Sequence, residues 1–137
     1  NLFTGMFDFS DQKQAAGIIG LQHQNDDLFR ESFLGRLSPI TGGFLTENNA
    51  FYIYTGVQTE YDLGLFTITP SFAPGYYSSG DGKDLGHVLE FKSEIQMSLN
   101  LSDSTHFGLS YNHISNASLG DKNPGANSYM INFLKQF

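Results

Sequence analysis

His113 and Ser115 stand two residues apart in the stretch Tyr111-Asn112-His113-Ile114-Ser115-Asn116-Ala117-Ser118-Leu119. Asn127 follows in a second stretch, Asn123-Pro124-Gly125-Ala126-Asn127-Ser128-Tyr129. An imidazole beside a hydroxyl can activate it as a nucleophile toward an acyl carbon, given a third group that orients the ring. That chemistry needs the side chains on one face. In an extended strand, residues i and i+2 project the same way, so the question becomes which elements carry these residues and which way they point.

Composition points to strands. The chain has 137 residues, with 13 Phe, 7 Tyr, 15 Gly and no Trp. Aromatics and glycines mixed with Ser, Thr and Asn suit alternating strands joined by polar turns, and helix-favouring runs of Ala, Leu, Glu and Lys are absent. With no cysteine there is neither a disulfide framework nor a thiolate metal site. A net charge of −7 argues against nucleic acid, because no basic patch exists to neutralise phosphates. No run approaches 18 apolar residues, so a transmembrane helix is not expected. Asn1 to Phe9 show no charged leader followed by an apolar run, so export implies a signal peptide removed from this chain.

Period-two patterning predicts eight strands, at 1–9, 14–24, 28–40, 50–61, 64–79, 86–101, 105–115 and 126–137, in a single domain over 1–137. Turn chemistry separates them: Ser10-Asp11, Asn25-Asp26-Asp27, Thr41-Gly42-Gly43, Tyr61-Asp62-Leu63-Gly64, Gly80-Asp81-Gly82, Ser102-Asp103-Ser104 and Gly120 to Gly125. The turns near 62 and 103 read as short, the breaks near 45, 82 and 121 as longer. Eight strands need roughly 80 residues to cross a bilayer, which this length allows.

The clearest strand is 86–101. Leu89, Phe91, Ile95, Met97, Leu99 and Leu101 share one face, interrupted only by Ser93, while Glu90, Lys92, Glu94, Gln96, Ser98 and Asn100 share the other. In the last strand Tyr129, Ile131, Phe133 and Phe137 oppose Asn132 and Gln136, and around residue 33 Phe29, Phe33 and Leu37 oppose Arg30, Ser32, Arg36 and Ser38. Alternation alone fits two barrels: a soluble one with the apolar face inward, or a membrane one with that face toward lipid and the polar face filling the lumen. The alternating last strand ending in Phe137 resembles the assembly signal of outer-membrane barrels. A lumen also gives Glu90, Lys92, Glu94, Arg30 and Arg36 a role as a paired charge network. The expectation is an all-β, eight-stranded antiparallel transmembrane up-and-down barrel of the bacterial outer membrane. Its lumen would be filled by side chains, so a pore is not expected.

In such a barrel His113 and Ser115 share the lipid-facing parity of Phe107, Leu109 and Tyr111. Asn127 shares that of Tyr129, Ile131 and Phe133. A hairpin of these two strands brings the three polar groups together at the rim. Polar groups on an apolar wall cost free energy unless they serve something there, and a nucleophile, a base and an orienting group facing lipid suit a lipid substrate. The bland alternative is polar residues near the headgroup region, where the cost falls to about 0–1 kcal/mol.

The stretch from His113 resembles the signature of the lipid A 3-O-deacylase (PagL) family of outer-membrane enzymes, a His-x-Ser-Asn-Ala motif followed by a Pro/Asn/Gly-containing loop and the final strand. Gly80-Asp81-Gly82-Lys83-Asp84-Leu85-Gly86 leading into Leu89-Glu90-Phe91 is similar to the family's preceding loop and strand. The resemblance covers roughly the C-terminal half. It implies Ser115 as nucleophile, His113 as its general base and Asn116 as a donor to the oxyanion, in a serine esterase that removes the 3-O-linked acyl chain of lipid A without a cofactor. The family's orienting residue is a glutamate twelve residues after the serine, and here that position is Asn127. An asparagine holds the ring if its carbonyl oxygen accepts the imidazole N–H, but it supplies no negative charge to the imidazolium. Asp121 ranks second for this place.

Two other classes stay open. One is a catalytically silent barrel that kept the scaffold as a structural or interaction protein. The other is a soluble lipocalin-like carrier. The expected partners are lipid A or lipopolysaccharide and outer-membrane lipids, with a homodimer compatible. His23, His87 and His106 are scattered without ligand spacing, and Asp26, Asp27, Asp81 and Asp84 read as solvated loop acids, so no metal is expected.

Overall fold

The computed structural model describes residues 1–7, 16–25, 30–33, 35–47, 49–80, 88–116 and 126–135. Its strands are β1 (Leu2–Phe7), β2 (Ala16–Gln24), β3 (Arg30–Ser32), β4 (Gly35–Thr46), β5 (Phe51–Gln58), β6 (Tyr61–Asp62), β7 (Phe66–Ser78), β8 (Leu89–Asn100), β9 (Thr105–Ser115) and β10 (Ala126–Lys135). Eight of them close a ring. β1 pairs β2, β2 pairs β4, and pairing continues through β5, β7, β8, β9 and β10, which returns to β1. Every pairing is antiparallel. β3 and β6 are short extensions that pair with the beginnings of β4 and β7. A closed ring leaves no strand edge to hydrogen-bond outside, which is what lets strands cross a membrane at all.

The direction of the alternation separates the two barrels. Along β8, Ile95 and Met97 are each 54% exposed, whereas Glu90 is fully buried and Lys92 is 2% exposed. β9 and β10 repeat this, with Leu109, Tyr111, Tyr129, Ile131 and Phe133 outside and Ser110, Asn112, Ser128 and Asn132 inside. An apolar exterior around a polar interior is the arrangement that lipid stabilises and water does not. The protein is an eight-stranded transmembrane barrel, and the soluble carrier does not fit it.

The lumen is packed with partnered polar groups. Tyr54 donates its hydroxyl to Gln22 Oε1 at 2.7 Å, Tyr52 to the Glu90 carbonyl at 2.9 Å, and Asn132 donates to Ser110 Oγ at 2.9 Å. Lys92 Nζ lies 3.4 Å from Glu94 Oε2 and 4.3 Å from the centre of the Tyr54 ring. Asn112 donates to the same Glu94 oxygen at 3.3 Å. Gln22, Lys92, Glu94 and Asn132 thereby gain the kind of partners that buried charges and amides require.

Three sequence expectations are corrected. Thr41-Gly42-Gly43 is not a turn but the middle of β4, which runs on to Thr46. Gly42 is there for space: a Cβ on it would sit 2.7 Å from both the Leu21 carbonyl oxygen and the Tyr54 hydroxyl. The chain reverses instead around Asn49, in the left-handed region at φ 62°, where Asn49 N–H donates to the Thr46 carbonyl and Ala50 N–H to the Thr46 hydroxyl. The break near 45 is therefore short rather than long. Finally, Arg36 is not in the lumen. It pairs with exposed Glu31, N to O 3.6 Å, on the β3–β4 hairpin beyond the rim, where neither charge loses its water. The side chain of Arg30 lies outside the described residues, as do Asp26, Asp27, the 81–87 stretch with His87, Asp121 and Phe137.

Candidate active site on the outer wall

β9 and β10 form the expected hairpin, and their register sets Asn127 directly across from His113. On the other side of β9, His113 faces Ser93 and Ser115 faces Phe91 of β8. All of these belong to the outward parity. His113 and Ser93 are exposed, and Ser115 and Asn127 half-exposed. β9 ends at Ser115, so the site lies at the barrel end carrying the 8–15, 79–88 and 116–125 connections, away from the short turn at 101–104.

The decisive contact joins His113 Nδ1 to Asn127 Oδ1 at 2.7 Å. With the amide oxygen facing the ring, Nδ1 carries the proton and donates it, and Nε2 keeps its lone pair. That tautomer can take a proton from a serine. The same oxygen accepts the Tyr111 hydroxyl at 2.9 Å. Ser115 lies two residues along β9 on the same face, and among the described residues its hydroxyl and the imidazole are not hydrogen-bonded to each other. Such contacts are commonly loose before substrate arrives.

Asn116 is placed differently. It follows the end of β9 with the inward parity of Asn112 and Ile114, and its side chain is fully buried. The amide therefore does not share the outer surface with Ser115. Two further residues join the site that sequence reading passed over. In sequence Ser93 reads only as an interruption in an apolar face, and Tyr111 as one aromatic of the lipid-facing set. The signal for both is cross-strand register, which one strand alone does not carry.

Beside the polar patch the wall opens into a largely apolar groove of about 300 Å³, lined by Ile68, Ile95, Met97, Leu109, Ser110 and Tyr111. Tyr111 thus touches both the groove and the polar cluster. His23 is exposed on β2, and His106 Nδ1 contacts Asn100 Oδ1 at 2.6 Å toward the opposite end of the barrel. Neither belongs to this site.

The profile of the lipid A 3-O-deacylase (PagL) family matches residues 16–135, most of the chain. The chain belongs to that family. Among solved structures it is similar to the crystal structure of the outer membrane enzyme PagL, with a TM-score of 0.73 and 20% identity. That similarity covers 99% of this chain and 97% of the other. No curated protein matches the sequence. Family and fold together place the protein in the outer membrane, among lipid A deacylases. The family match also extends the resemblance, which the motifs had carried only over the C-terminal half, back to the second strand.

Proposed function

We propose that this member of the family removes the 3-O-linked acyl chain of lipid A with Ser115 as nucleophile, His113 as general base and Asn127 as the orienting residue. What supports the assignment is the 2.7 Å contact between His113 Nδ1 and Asn127 Oδ1 on a lipid-facing wall, with Ser115 on the same face of the same strand. His113 Nε2 takes the Ser115 Oγ proton as the oxygen attacks the ester carbonyl. The tetrahedral intermediate collapses, the C–O bond to the sugar breaks, and the proton passes from His113 to the departing alcohol. Water then attacks the acyl-serine with His113 again as base, releasing the fatty acid and restoring Ser115. No cofactor enters any step.

Asn116 is assigned to the oxyanion through its backbone N–H, which directly follows the nucleophile, a placement used by other serine hydrolases. Its buried amide is left to hold the strand end. The groove at Ile68, Ile95, Met97 and Leu109 suits an acyl chain beside the reacting ester. A homodimer has no support from the comparisons, and this reading takes one chain as the working unit.

Mass spectrometry of lipid A incubated with detergent-purified protein tests the proposal, with Ser115→Ala alongside. Loss of one 3-linked hydroxyacyl chain, abolished by the substitution, is the expected result. A second reading is favoured by the neutral Asn127, which offers the imidazolium no charge: a silent scaffold. A spectrum unchanged even after Asn127→Glu would favour that reading, and product gained only with the glutamate would mean an intact but silenced site.

A further inference from the structure

An asparagine in the orienting position carries an ambiguity that a glutamate does not. A carboxylate presents two equivalent acceptor oxygens. An amide presents an acceptor or a donor depending on a half-turn about its last bond, and the two orientations select opposite tautomers of the facing imidazole. With oxygen inward, His113 holds its proton on Nδ1 and Nε2 is a base. With the NH₂ inward, the proton moves to Nε2 and the ring has nothing to offer Ser115.

We infer that Tyr111 is a positioning residue that sets the orientation of Asn127, and through it the tautomer of His113. Its hydroxyl donates to Asn127 Oδ1 at 2.9 Å, and this is the oxygen that His113 Nδ1 meets at 2.7 Å. The two donors occupy the two lone pairs of one amide oxygen. A phenol is a good donor and a poor acceptor, because its oxygen lone pair is drawn into the ring. Turning the amide would exchange a strong O–H···O=C bond for a weak N–H···O one. Tyr111 is also well placed to act without being consumed by the reaction: it lies on β9 two residues before His113, opposite Tyr129 of β10 in register, and projects from the same outer face.

This inference rests on the esterase assignment only for its kinetic readout, since the tautomer can be read directly. In detergent-folded protein labelled with ¹⁵N-histidine, at about pH 8.5 where an ordinary imidazole is neutral, the His113 nitrogen shifts distinguish Nδ1–H from Nε2–H. The wild-type chain is expected to show Nδ1–H, and Tyr111→Phe a mixture with Nε2–H. In turnover, Tyr111→Phe is expected to lower kcat about five- to tenfold, the worth of one hydrogen bond, with KM little changed. In the Asn127→Glu background the same substitution should change kcat less than about twofold, because a carboxylate has no wrong orientation. Nε2–H in the wild type, or an unaltered tautomer in Tyr111→Phe, overturns the inference whether or not the protein hydrolyses lipid A. An equal fall in kcat in both backgrounds also overturns it, by making Tyr111 a direct substrate contact. Absence of turnover in every variant, with the tautomer shift present, would count against the esterase assignment alone.

Discussion

Asn112 and His113 are neighbours in the chain and lie on opposite sides of one wall. Inside, Asn112 donates to Glu94, which pairs with Lys92, which rests over Tyr54. Outside, His113 meets Asn127, which also holds Tyr111, with Ser93 and Ser115 on the same face. The two clusters share β8 and β9, but they answer different demands. The inner polar groups fill space that lipid never reaches, and their mutual contacts offset the cost of dehydrating them. The outer ones interrupt a surface where leucine or phenylalanine would be cheaper. On the proposed reading, a polar cluster is therefore structural in the lumen of such a barrel and chemical on its exterior.

This contrast breaks if the outer cluster turns out to hold the barrel together. His113→Ala should lower deacylation about 10³-fold or more, since base and nucleophile act as a unit, while leaving the urea unfolding midpoint of the detergent-folded barrel unchanged. A large fall in that midpoint would make the histidine structural. The inner cluster gives the reverse expectation. Lys92→Met strands Glu94 in a buried site and should cost about 3–5 kcal/mol of stability in the same unfolding measurement. Turnover per folded molecule should stay near wild type, and selective loss of turnover instead would couple lumen to site. The smallest effect is expected at Ser93, across from His113. Ser93→Leu restores the apolar face and should lower deacylation about tenfold by crowding the ester's approach, with unfolding unaffected; an unaltered rate would remove Ser93 from the site.

Much of this architecture could be read from the chain because period-two alternation is a local signal. Leu89 to Asn100 states its two faces residue by residue, and β9 ends at the expected Ser115. Which face meets lipid was decided only by closure, when Glu90 and Lys92 became enclosed and Ile95 and Met97 did not. Gly42-Gly43 misled because a glycine that makes room for Tyr54 looks the same in sequence as one that makes a turn. Arg36 carries the inward parity of Ser38 and Ile40 but lies past the rim, and parity does not report where a barrel stops. Parity and a hairpin suffice to bring His113, Ser115 and Asn127 to one outer face, as the register of β9 and β10 shows. Ser93 and Tyr111 were missed as site residues because their partners lie on neighbouring strands at unrelated sequence distances. Asn116 shows the limit of motif reading: the motif sets it beside the serine, while strand parity turns its side chain to the other side of the wall.

The outward placement of His113 and Ser115 also fixes the dimensionality of the proposed reaction. Under the proposed esterase reading, a lipid substrate would reach this site by sliding within its own leaflet, and both products would leave the same way, without crossing water. Turnover then follows the mole fraction of substrate in the surrounding lipid rather than its amount per volume. Diluting the surface with inert detergent slows such a catalyst, while diluting the whole suspension with buffer leaves each particle reacting as before.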